Sequence, residues 1–401
     1  MVTRSNAACW EHEIRGSWEP VAQPLLNRPY ADLSAHVDSE IVKAFRRQHP
    51  TDCLVNDMQT NATRSKRCFH SSVLYEWRPA GLPHMRAVQA DCPMCGGAGP
   101  ALCRALLTHG YRRLIFIGDS ITRNQANSLW GLIGNWRFST FEGFGYQKLR
   151  CEHGSSISIE LFPNPAPGKL ALLLNATTNV GDLKSTTINL TEEKVNRIVS
   201  TVELQQLWSA LNDSSAVCIF NAGPHYTVGL EGTRRLFMNQ VNTSGQMFRA
   251  FLRDTLGLRL LLRHHRAGGR FIYRTTPWGH PGCETFAAGP PDYEDPAAAY
   301  DRWGLRCRDC EVAFDAFGWH MFPAFDRAAR HILEPLGVHF LDITILSASR
   351  PDGHTAFRHG GGRLPPDCLH WSLPGVPDVW NYLLIGGLQH CLHRPHDDSS
   401  V

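Results

Sequence analysis

The fold is decided by one stretch of sequence, Arg113-Leu-Ile-Phe-Ile-Gly118-Asp119-Ser120-Ile-Thr-Arg-Asn-Gln-Ala-Asn-Ser-Leu-Trp-Gly-Leu-Ile133. Its first six residues form a short apolar run that is typical of a buried strand, and the apolar residues that follow Ser120 have helical spacing. A serine on a sharp strand-to-helix turn exposes its hydroxyl and lies beside backbone N–H groups that can face an oxyanion. Ser120 is therefore a candidate nucleophile.

A second string near the other end of the chain supplies the groups that activate such a serine. It reads Asp367-Cys-Leu-His370-Trp371, so one turn of chain delivers a carboxylate and an imidazole to the same place. Ordinary turn chemistry explains either motif alone, because Gly and Asp favour turns and Ser caps helices. Together they predict an acyl-transfer enzyme with Ser120 as nucleophile, His370 as base and Asp367 as the residue that orients the imidazole.

From residue 112 onward, apolar strands alternate with helical stretches, which predicts a parallel sheet with helices on both faces. The strands are expected at Leu114–Gly118, Ser156–Phe162, Leu170–Asn175, Ala216–Asn221, Arg270–Thr275 and Val338–Ile343, and the helices at Thr122–Ile133, Glu192–Leu211, Thr233–Leu256 and Asp315–Leu336. This order brings Ser120, Asn221 and Thr275 to one rim. Residues 1–110 are rich in Cys, Pro and Trp and predict an irregular N-terminal lobe, whereas 111–401 form the catalytic domain.

Composition limits the partners and the compartment. The formal net charge is +3 and 19% of residues are charged, so no strong field favours nucleic acid as a partner. No apolar run is long enough to span a bilayer and no N-terminal signal region is evident, so membrane attachment would need an anchor absent from this sequence. The 13 cysteines favour an oxidising secretory lumen. Sequons at Asn61, Asn175, Asn189, Asn212 and Asn242 agree with this, although such tripeptides also arise by chance.

Two C-x-x-C pairs, Cys92–Cys95 and Cys307–Cys310, have a spacing that can chelate zinc. The two pairs lie far apart in the sequence, unlike those of a zinc finger, so disulfides are favoured, with structural zinc and free buried thiols as alternatives. The acyl-transfer chemistry requires no metal.

Further motifs carry a family resemblance that covers most of the chain. They are Cys9-Trp10 with Gly16-Ser17-Trp18, Tyr75–Pro79, Gly118–Gln125, Phe220–Tyr226, Leu341–Ser347, Arg350–His354 and Asp367–Asn381. They resemble the trichome-birefringence-like proteins, which are polysaccharide O-acetyltransferases in the PC-esterase branch of the SGNH (GDSL-like) hydrolases. The motifs of the C-terminal third are the most specific.

The resemblance implies a flavodoxin-type three-layer α/β sandwich that moves an acetyl group to a cell-wall polysaccharide hydroxyl through an acyl-serine. It implies an acyl donor as co-substrate, with acetyl-CoA as one option, no bound cofactor, and residence in the Golgi lumen or secretory pathway. It also implies a disulfide between Cys283 and Cys368. The motifs do not separate a transferase from an acetylesterase of the same fold. A catalytically silent polysaccharide-binding protein is a third alternative. Such a protein would be free to lose one of the three site residues, so the presence of all three argues against it.

Several other residues are candidates for binding. The oxyanion is expected to accept hydrogen bonds from the Ser120 N–H and from a donor in the block that contains Asn221 and Gly223. Gly154 or Gly145 would supply a further N–H donor. Arg123, one helical turn after Ser120, either contacts substrate or pairs with Asp119. Asp119 itself is expected to bond local backbone N–H groups. The indole of Trp371 suits the apolar side of a sugar ring. For His225 and His354, hydrogen bonding within loops is the favoured interpretation.

Overall fold

The computed structural model describes a subset of the chain, mostly after residue 97. The described residues are 16–20, 52–56, 63–67, 75–79, 98–133, 145–163, 212–221, 223–226, 244–264, 270–280, 283, 319–354, 367–371, 373, 375–390 and 392.

Ten strands lie in these ranges. They are β1 Gly16–Pro20, β2 Asp52–Asn56, β3 Thr63–Arg67, β4 Tyr75–Pro79, β5 Arg113–Gly118, β6 Gly145–Arg150, β7 Ser156–Pro163, β8 Ala216–Asn221, β9 Phe271–Arg274 and β10 His339–Leu341. Six of them form one sheet in the order β10-β9-β8-β5-β7-β6, and β1 pairs with β4 and β2 with β3 as separate antiparallel ribbons. Within the large sheet every neighbouring pair is parallel except β6 and β7.

The described α-helices are α1 Ala98–Thr108, α2 Ser120–Leu132, α3 Ser244–His264, α4 Phe322–Leu333, α5 Thr344–Ala348 and α6 Val376–His390. Within the described ranges, no helix combines the length and the apolar character needed to cross a membrane.

Helices cover both faces of the sheet, which explains why the sequence of β5 is continuously apolar. Leu114 and Phe116 point into one hydrophobic core, which contains residues of α1, α2 and α6. Ile115 and Ile117 point into the other, which contains residues of α3 and α4. A parallel strand that is buried on both faces has no solvent side to carry polar residues. The predicted three-layer α/β architecture is confirmed.

The expected strand and helix positions hold best in the middle of the sheet. β8 has the predicted bounds, and β5, β7, β9, β10 and α2 differ by one or two residues at their ends. The prediction missed β6, an antiparallel edge strand in which buried and exposed residues alternate. The strand expected at Leu170–Asn175 and the helix expected at Glu192–Leu211 lie outside the described residues, as do both C-x-x-C pairs.

The prediction also missed α1 and α6, which pack against each other. The sequence of α6 contains Pro377, Gly386 and Gly387, which weaken the helical signal, although proline is tolerated in a first turn. α1 lies inside the range 1–110 that was assigned to an irregular lobe, yet its Leu102 and Leu106 are fully buried in the core beside α2 and α6. A disulfide between Cys103 and Cys151 ties this helix to the end of β6. The division of the chain near residue 110 stays a prediction.

Candidate active site

The turn between β5 and α2 places Ser120 at the carboxyl edge of the sheet. Gly118 ends β5 opposite Asn221 of β8, and Ser120 is the first residue of α2. A β-carbon at position 118 would collide with the backbone oxygen of Asn221 and with the Thr122 hydroxyl. The Thr122 hydroxyl donates to that same oxygen at 3.2 Å. The nucleophile turn is therefore pressed against β8, and only glycine allows this close approach.

Asp119 caps the helix that Ser120 opens. Its Oδ1 accepts the backbone N–H of Ile121 at 2.9 Å and of Thr122 at 3.1 Å, and its backbone oxygen accepts the N–H of Arg123. These bonds confirm the structural role predicted for Asp119. The Asp119 side chain thus satisfies two of the four N–H groups that the start of a helix leaves without an intrahelical partner, and the Ser120 N–H is one that this cap does not use.

Ser120, His370 and Asp367 form a continuous hydrogen-bonded chain. The Ser120 hydroxyl lies 2.7 Å from Nε2 of His370, and Nδ1 of His370 lies 2.8 Å from Oδ2 of Asp367. Since the carboxylate only accepts, the imidazole carries its proton on Nδ1 and offers Nε2 as the acceptor for the serine proton. All three predicted residues are thus in contact in the order that nucleophilic catalysis requires.

Local backbone geometry explains the three-residue spacing of Asp367 and His370. The other oxygen of the carboxylate, Oδ1, accepts the backbone N–H groups of Leu369 at 3.2 Å and of His370 at 3.0 Å. This Asx turn folds residues 367–371, hereafter the catalytic segment, so that the imidazole returns over its own carboxylate. A single turn of chain therefore orients both side chains.

Three neighbours hold the catalytic segment in place. The disulfide between Cys283 and Cys368, which the family resemblance implied, is present. The backbone N–H of His280 donates to the Cys368 oxygen at 2.9 Å. On the other side, the Asn124 amide donates to the Trp371 oxygen at 3.2 Å and accepts the Trp371 N–H at 3.4 Å. Because Asn124 lies on α2, it links the helix of Ser120 directly to the segment of His370.

The surroundings of His370 favour its protonated form. Burial lowers its pKa, but the charge of Asp367 and the hydrogen bond to it raise the pKa, and the net result lies above the ordinary histidine value. Asp119 acts in the same direction as Asp367, while Arg123 opposes it. The imidazolium that forms after proton transfer from serine is therefore stabilised.

The block around Asn221 lies on the expected rim, but its side chain is turned away from the serine. The Asn221 amide donates to the Arg274 oxygen at 2.7 Å and to the Thr276 hydroxyl at 3.0 Å, and its Oδ1 accepts the Gly223 N–H at 3.2 Å. Both amide protons and the Gly223 N–H are thus already used. The predicted oxyanion donor from Asn221 or Gly223 is corrected to a structural clamp between β8 and the end of β9.

Gly154 lies at the wrong edge of the sheet for an oxyanion donor. It ends the turn Glu152–Gly154 that precedes β7, on the side where Ser158 pairs with Arg113. β5 runs about 17 Å from that edge to Gly118, at about 3.3 Å per residue. The alternative candidate, Gly145, pairs with Leu161 and lies toward the carboxyl edge, because β6 is antiparallel. The Gly154 candidate is therefore corrected, and a donor from Gly145 stays a prediction.

Trp371 is also corrected, since it is a core residue and not an exposed sugar platform. Only 1% of its surface is exposed, and it packs edge-on against Trp380 with ring centroids 5.5 Å apart. Arg123 is 3% exposed and its charge interacts with that of Asp119. A contact between Arg123 and substrate stays a prediction.

Sequence reasoning missed the buried groups that support the site. Arg274 is fully buried, donates to the Thr122 hydroxyl at 3.1 Å and lies 5.5 Å from the centre of the Trp380 ring. Asp326 accepts the backbone N–H and hydroxyl of Thr276, which itself contacts Asn221. The position of Arg274 at the end of a predicted rim strand was the one available signal, because the partners of these groups are distant in sequence.

Comparisons with known proteins match the C-terminal part of the chain to one family and most of its length to a relative. Residues 312–386 match the PC-Esterase family, described as a GDSL/SGNH-like acyl-esterase family found in Pmr5 and Cas1p, and this range contains Asp367 and His370. Protein trichome birefringence-like 39 of Arabidopsis thaliana is 25% identical over 352 residues, which cover 84% of this chain and 82% of the relative.

Two further relatives match over short segments. Protein trichome birefringence-like 42 of Arabidopsis thaliana is 51% identical over 51 residues, 13% of this chain and 14% of the relative. Xylan O-acetyltransferase 2 of Oryza sativa subsp. japonica is 43% identical over 92 residues, 19% of this chain and 17% of the relative.

The fold and the family match over residues 312–386 are similar to one class of protein, the SGNH-like acyl-esterases and acyltransferases. Within that class, the curated matches support the resemblance to the trichome birefringence-like family that the motifs carry.

Proposed function

We propose that this protein is a polysaccharide O-acetyltransferase that works through an acetyl-serine on Ser120. The observation that carries the proposal is the hydrogen-bonded chain from Ser120 through His370 to Asp367, with distances of 2.7 and 2.8 Å. A serine hydroxyl is a weak nucleophile at neutral pH unless a base accepts its proton as it attacks. Nε2 of His370 lies where that base is needed.

In the first half-reaction, the Ser120 oxygen attacks the acetyl carbonyl of the donor while its proton passes to Nε2 of His370. Asp367 stabilises the imidazolium that results. The oxyanion faces the amino end of α2, where the Ser120 N–H is a donor that the Asp119 cap does not use. The intermediate collapses when the donor's leaving group takes the proton back from His370, and acetyl-Ser120 remains.

In the second half-reaction, a hydroxyl of the acceptor gives its proton to His370 and attacks the acetyl-serine. The acetyl group leaves on the acceptor oxygen, and Ser120 recovers its proton. A carbohydrate acetylesterase of the same fold is the second candidate, because water in place of the sugar hydroxyl follows the same steps. The acyl-esterase description of the matched family favours keeping this candidate.

The relatives guide the choice of acceptor and compartment. One relative is named a xylan O-acetyltransferase, so we propose a polysaccharide acceptor and place xylan first among the acceptors to test. The Cys283–Cys368 and Cys103–Cys151 disulfides are stable in oxidising compartments, which supports the Golgi lumen or secretory pathway as the proposed location.

The test is an acyl-transfer assay on the full chain with an isotopically labelled acetyl donor and oligosaccharides of xylan, mannan, pectin and xyloglucan, read by mass spectrometry. S120A is expected to abolish turnover, and S155A is the matched control because Ser155 lies in the turn before β7, at the opposite edge of the sheet. Serine-dependent acetyl on a sugar supports the transferase.

Other outcomes of this assay would contradict the proposed transferase and favour a different function or mechanism. Free labelled acetate without acetylated sugar, together with acetate release from acetylated oligosaccharides, supports the esterase. Turnover that survives in S120A eliminates the serine mechanism. Absence of both turnover and labelling of Ser120 by a fluorophosphonate supports a silent polysaccharide-binding protein.

A further inference from the structure

Two fully buried histidines contact each other next to the catalytic segment. Nδ1 of His280 lies 2.6 Å from Nε2 of His354. At the outer ends of this pair, Nε2 of His280 lies 2.9 Å from the Ala348 oxygen, and Nδ1 of His354 lies 3.2 Å from the oxygen of His370. The pair therefore connects the end of α5 to the backbone of the residue that serves as the base.

The number of protons that these three hydrogen bonds require gives the histidine pair a charge. A carbonyl oxygen only accepts, so the two outer nitrogens must both carry protons. The hydrogen bond between the two rings requires a third proton on one of the inner nitrogens. Two neutral imidazoles carry two protons in total, so the three hydrogen bonds exist together only when the pair holds one extra proton and a single positive charge.

The surroundings assign that extra proton to His354. Both rings are fully buried, and burial lowers the pKa of His280 to about 4, against the opposing effect of the Ala348 oxygen. Burial therefore does not distinguish the two rings, and the contact of His354 with Trp371 does. The ring of His354 lies over the indole of Trp371 with centroids 4.1 Å apart. A cation over an indole face is stabilised by the negative potential of that face.

The backbone holds His354 and Trp371 side by side. These two residues form an isolated antiparallel bridge. A β-carbon at Gly353 would lie 2.9 Å from the Trp371 ring, so this approach requires glycine. Among the described residues of the segments packed here, the charged or titratable groups are Arg350, Asp367, His370 and His280, with Asp378 at the start of α6.

We propose that His354 is a protonated positioning residue, which donates to His280 and to the oxygen of His370 and so holds the catalytic segment against Ser120. The proposal deepens the function proposed above and rests on it for its meaning. When the extra proton is lost at higher pH, the pair can keep only two of its three hydrogen bonds. While His280 keeps its proton on Nε2 for the Ala348 oxygen, the bond between the rings excludes the bond to His370. The rate of Ser120 acylation is therefore expected to fall on the alkaline side.

The protonation is tested directly by NMR of the full chain with 15N-labelled histidine. We expect both ring nitrogens of His354 to be protonated at pH 7, with the signals identified by their absence in H354Q. A neutral His354 at pH 7 would overturn the proposal. The signals can equally be identified by their absence in H354N, so the measurement on the unmodified protein does not depend on the folding of either variant alone.

The positioning role is tested with a matched pair of variants. In H354N the amide nitrogen takes the place of Nδ1 and keeps the donor to His370, whereas in H354Q it takes the place of Nε2 and keeps only the contact with His280. We expect H354Q to slow labelling of Ser120 by a fluorophosphonate about tenfold, as the loss of one buried hydrogen bond implies. H354N is expected to be slowed less and to lose the alkaline decline. Equal rates in the two variants would contradict positioning and indicate packing alone.

These readouts are independent of acetyl transfer. Fluorophosphonate labelling needs only an activated serine, and NMR needs no reaction. If no polysaccharide accepts acetyl while the two variants differ as expected, the proposed function fails and the role of His354 stands. If acetyl transfer is found while H354N and H354Q react alike, the reverse holds.

Discussion

At the scale of single residues, the site depends on which nitrogen of His370 carries a proton. Asp367 determines this, because one of its oxygens accepts the proton on Nδ1 while the other is occupied by the backbone of the catalytic segment. Asp119, the other carboxylate beside the serine, is committed to capping α2. The two acids near Ser120 thus have separate roles, and the difference comes from the N–H groups that each one meets.

Replacement of Asp367 by Asn tests this assignment. The amide keeps the size of the carboxylate but can donate to Nδ1, which favours the tautomer with its proton on Nε2. We expect the rate of Ser120 labelling to fall about ten-thousandfold, as in comparable triads. The rate constant is measured with a fluorophosphonate, and D119N serves as a comparison whose main effect is expected on stability. A D367N protein that labels at nearly the normal rate would exclude the triad.

The same interaction sets the pH dependence. His370 is an effective base only when neutral, and Asp367 raises its pKa above the ordinary value. The labelling rate is therefore expected to fall as the pH drops through a midpoint above about 6.5, the usual histidine value. In D367N the negative charge is gone, so the midpoint should move to lower pH. Rate against pH for both proteins gives the two midpoints, and an unchanged midpoint would contradict the coupling.

At the scale of elements, the turn from β5 to α2 is the most tightly constrained part of the site. Replacement of Gly118 by Ala forces a methyl group against the Asn221 oxygen and the Thr122 hydroxyl. We expect a loss of about 1–3 kcal/mol in the free energy of unfolding, together with slower labelling of Ser120. Chemical denaturation of the full chain measures the first quantity.

A matched glycine provides the control for this substitution. Gly245 lies in the first turn of α3, and a β-carbon there would meet no atom within 4 Å. G245A is therefore expected to be neutral or to stabilise the protein by up to about 1 kcal/mol. Equal effects of G118A and G245A would show that the close approach at β8 is relaxed easily and is not a requirement of the turn.

Local sequence predicted a strand or helix correctly where its apolar residues followed one clear pattern. β5 and β8 are buried on both faces and were found from their apolar runs alone. β6 was missed because an edge strand carries alternating exposed residues such as Tyr146 and Lys148. α6 was missed because its two glycines and near-complete burial obscure any helical face.

At the scale of the whole molecule, the site joins residues that are 250 positions apart, Ser120 and His370. Two disulfides stabilise the described fold, but only Cys283–Cys368 is attached to the catalytic segment, whereas Cys103–Cys151 ties α1 to the end of β6. We expect C283S/C368S and C103S/C151S each to reduce the free energy of unfolding by about 2–4 kcal/mol.

Only the first of these two double variants should affect the site. With Cys368 released, the catalytic segment loses one of its anchors, so labelling of Ser120 is expected to slow in C283S/C368S at a temperature where both variants are folded. Calorimetry gives the stabilities and fluorophosphonate labelling gives the rates. A comparable slowing in C103S/C151S would mean that the rate reports general stability and not the position of the segment.

The α/β class, the turn that carries Ser120 and the Asp367–His370 turn followed from the sequence, because each depends on residues that are neighbours in the chain. Apolar runs define buried strands, and an Asx turn is a local structure. Tertiary structure alone decided that Asn221 faces away from the serine, that Trp371 lies in the core and that His354 reaches the oxygen of His370. These features depend on which distant segments meet at the carboxyl edge of the sheet. The orientation of each side chain there is set by contacts with residues far away in the sequence, which a local pattern does not include.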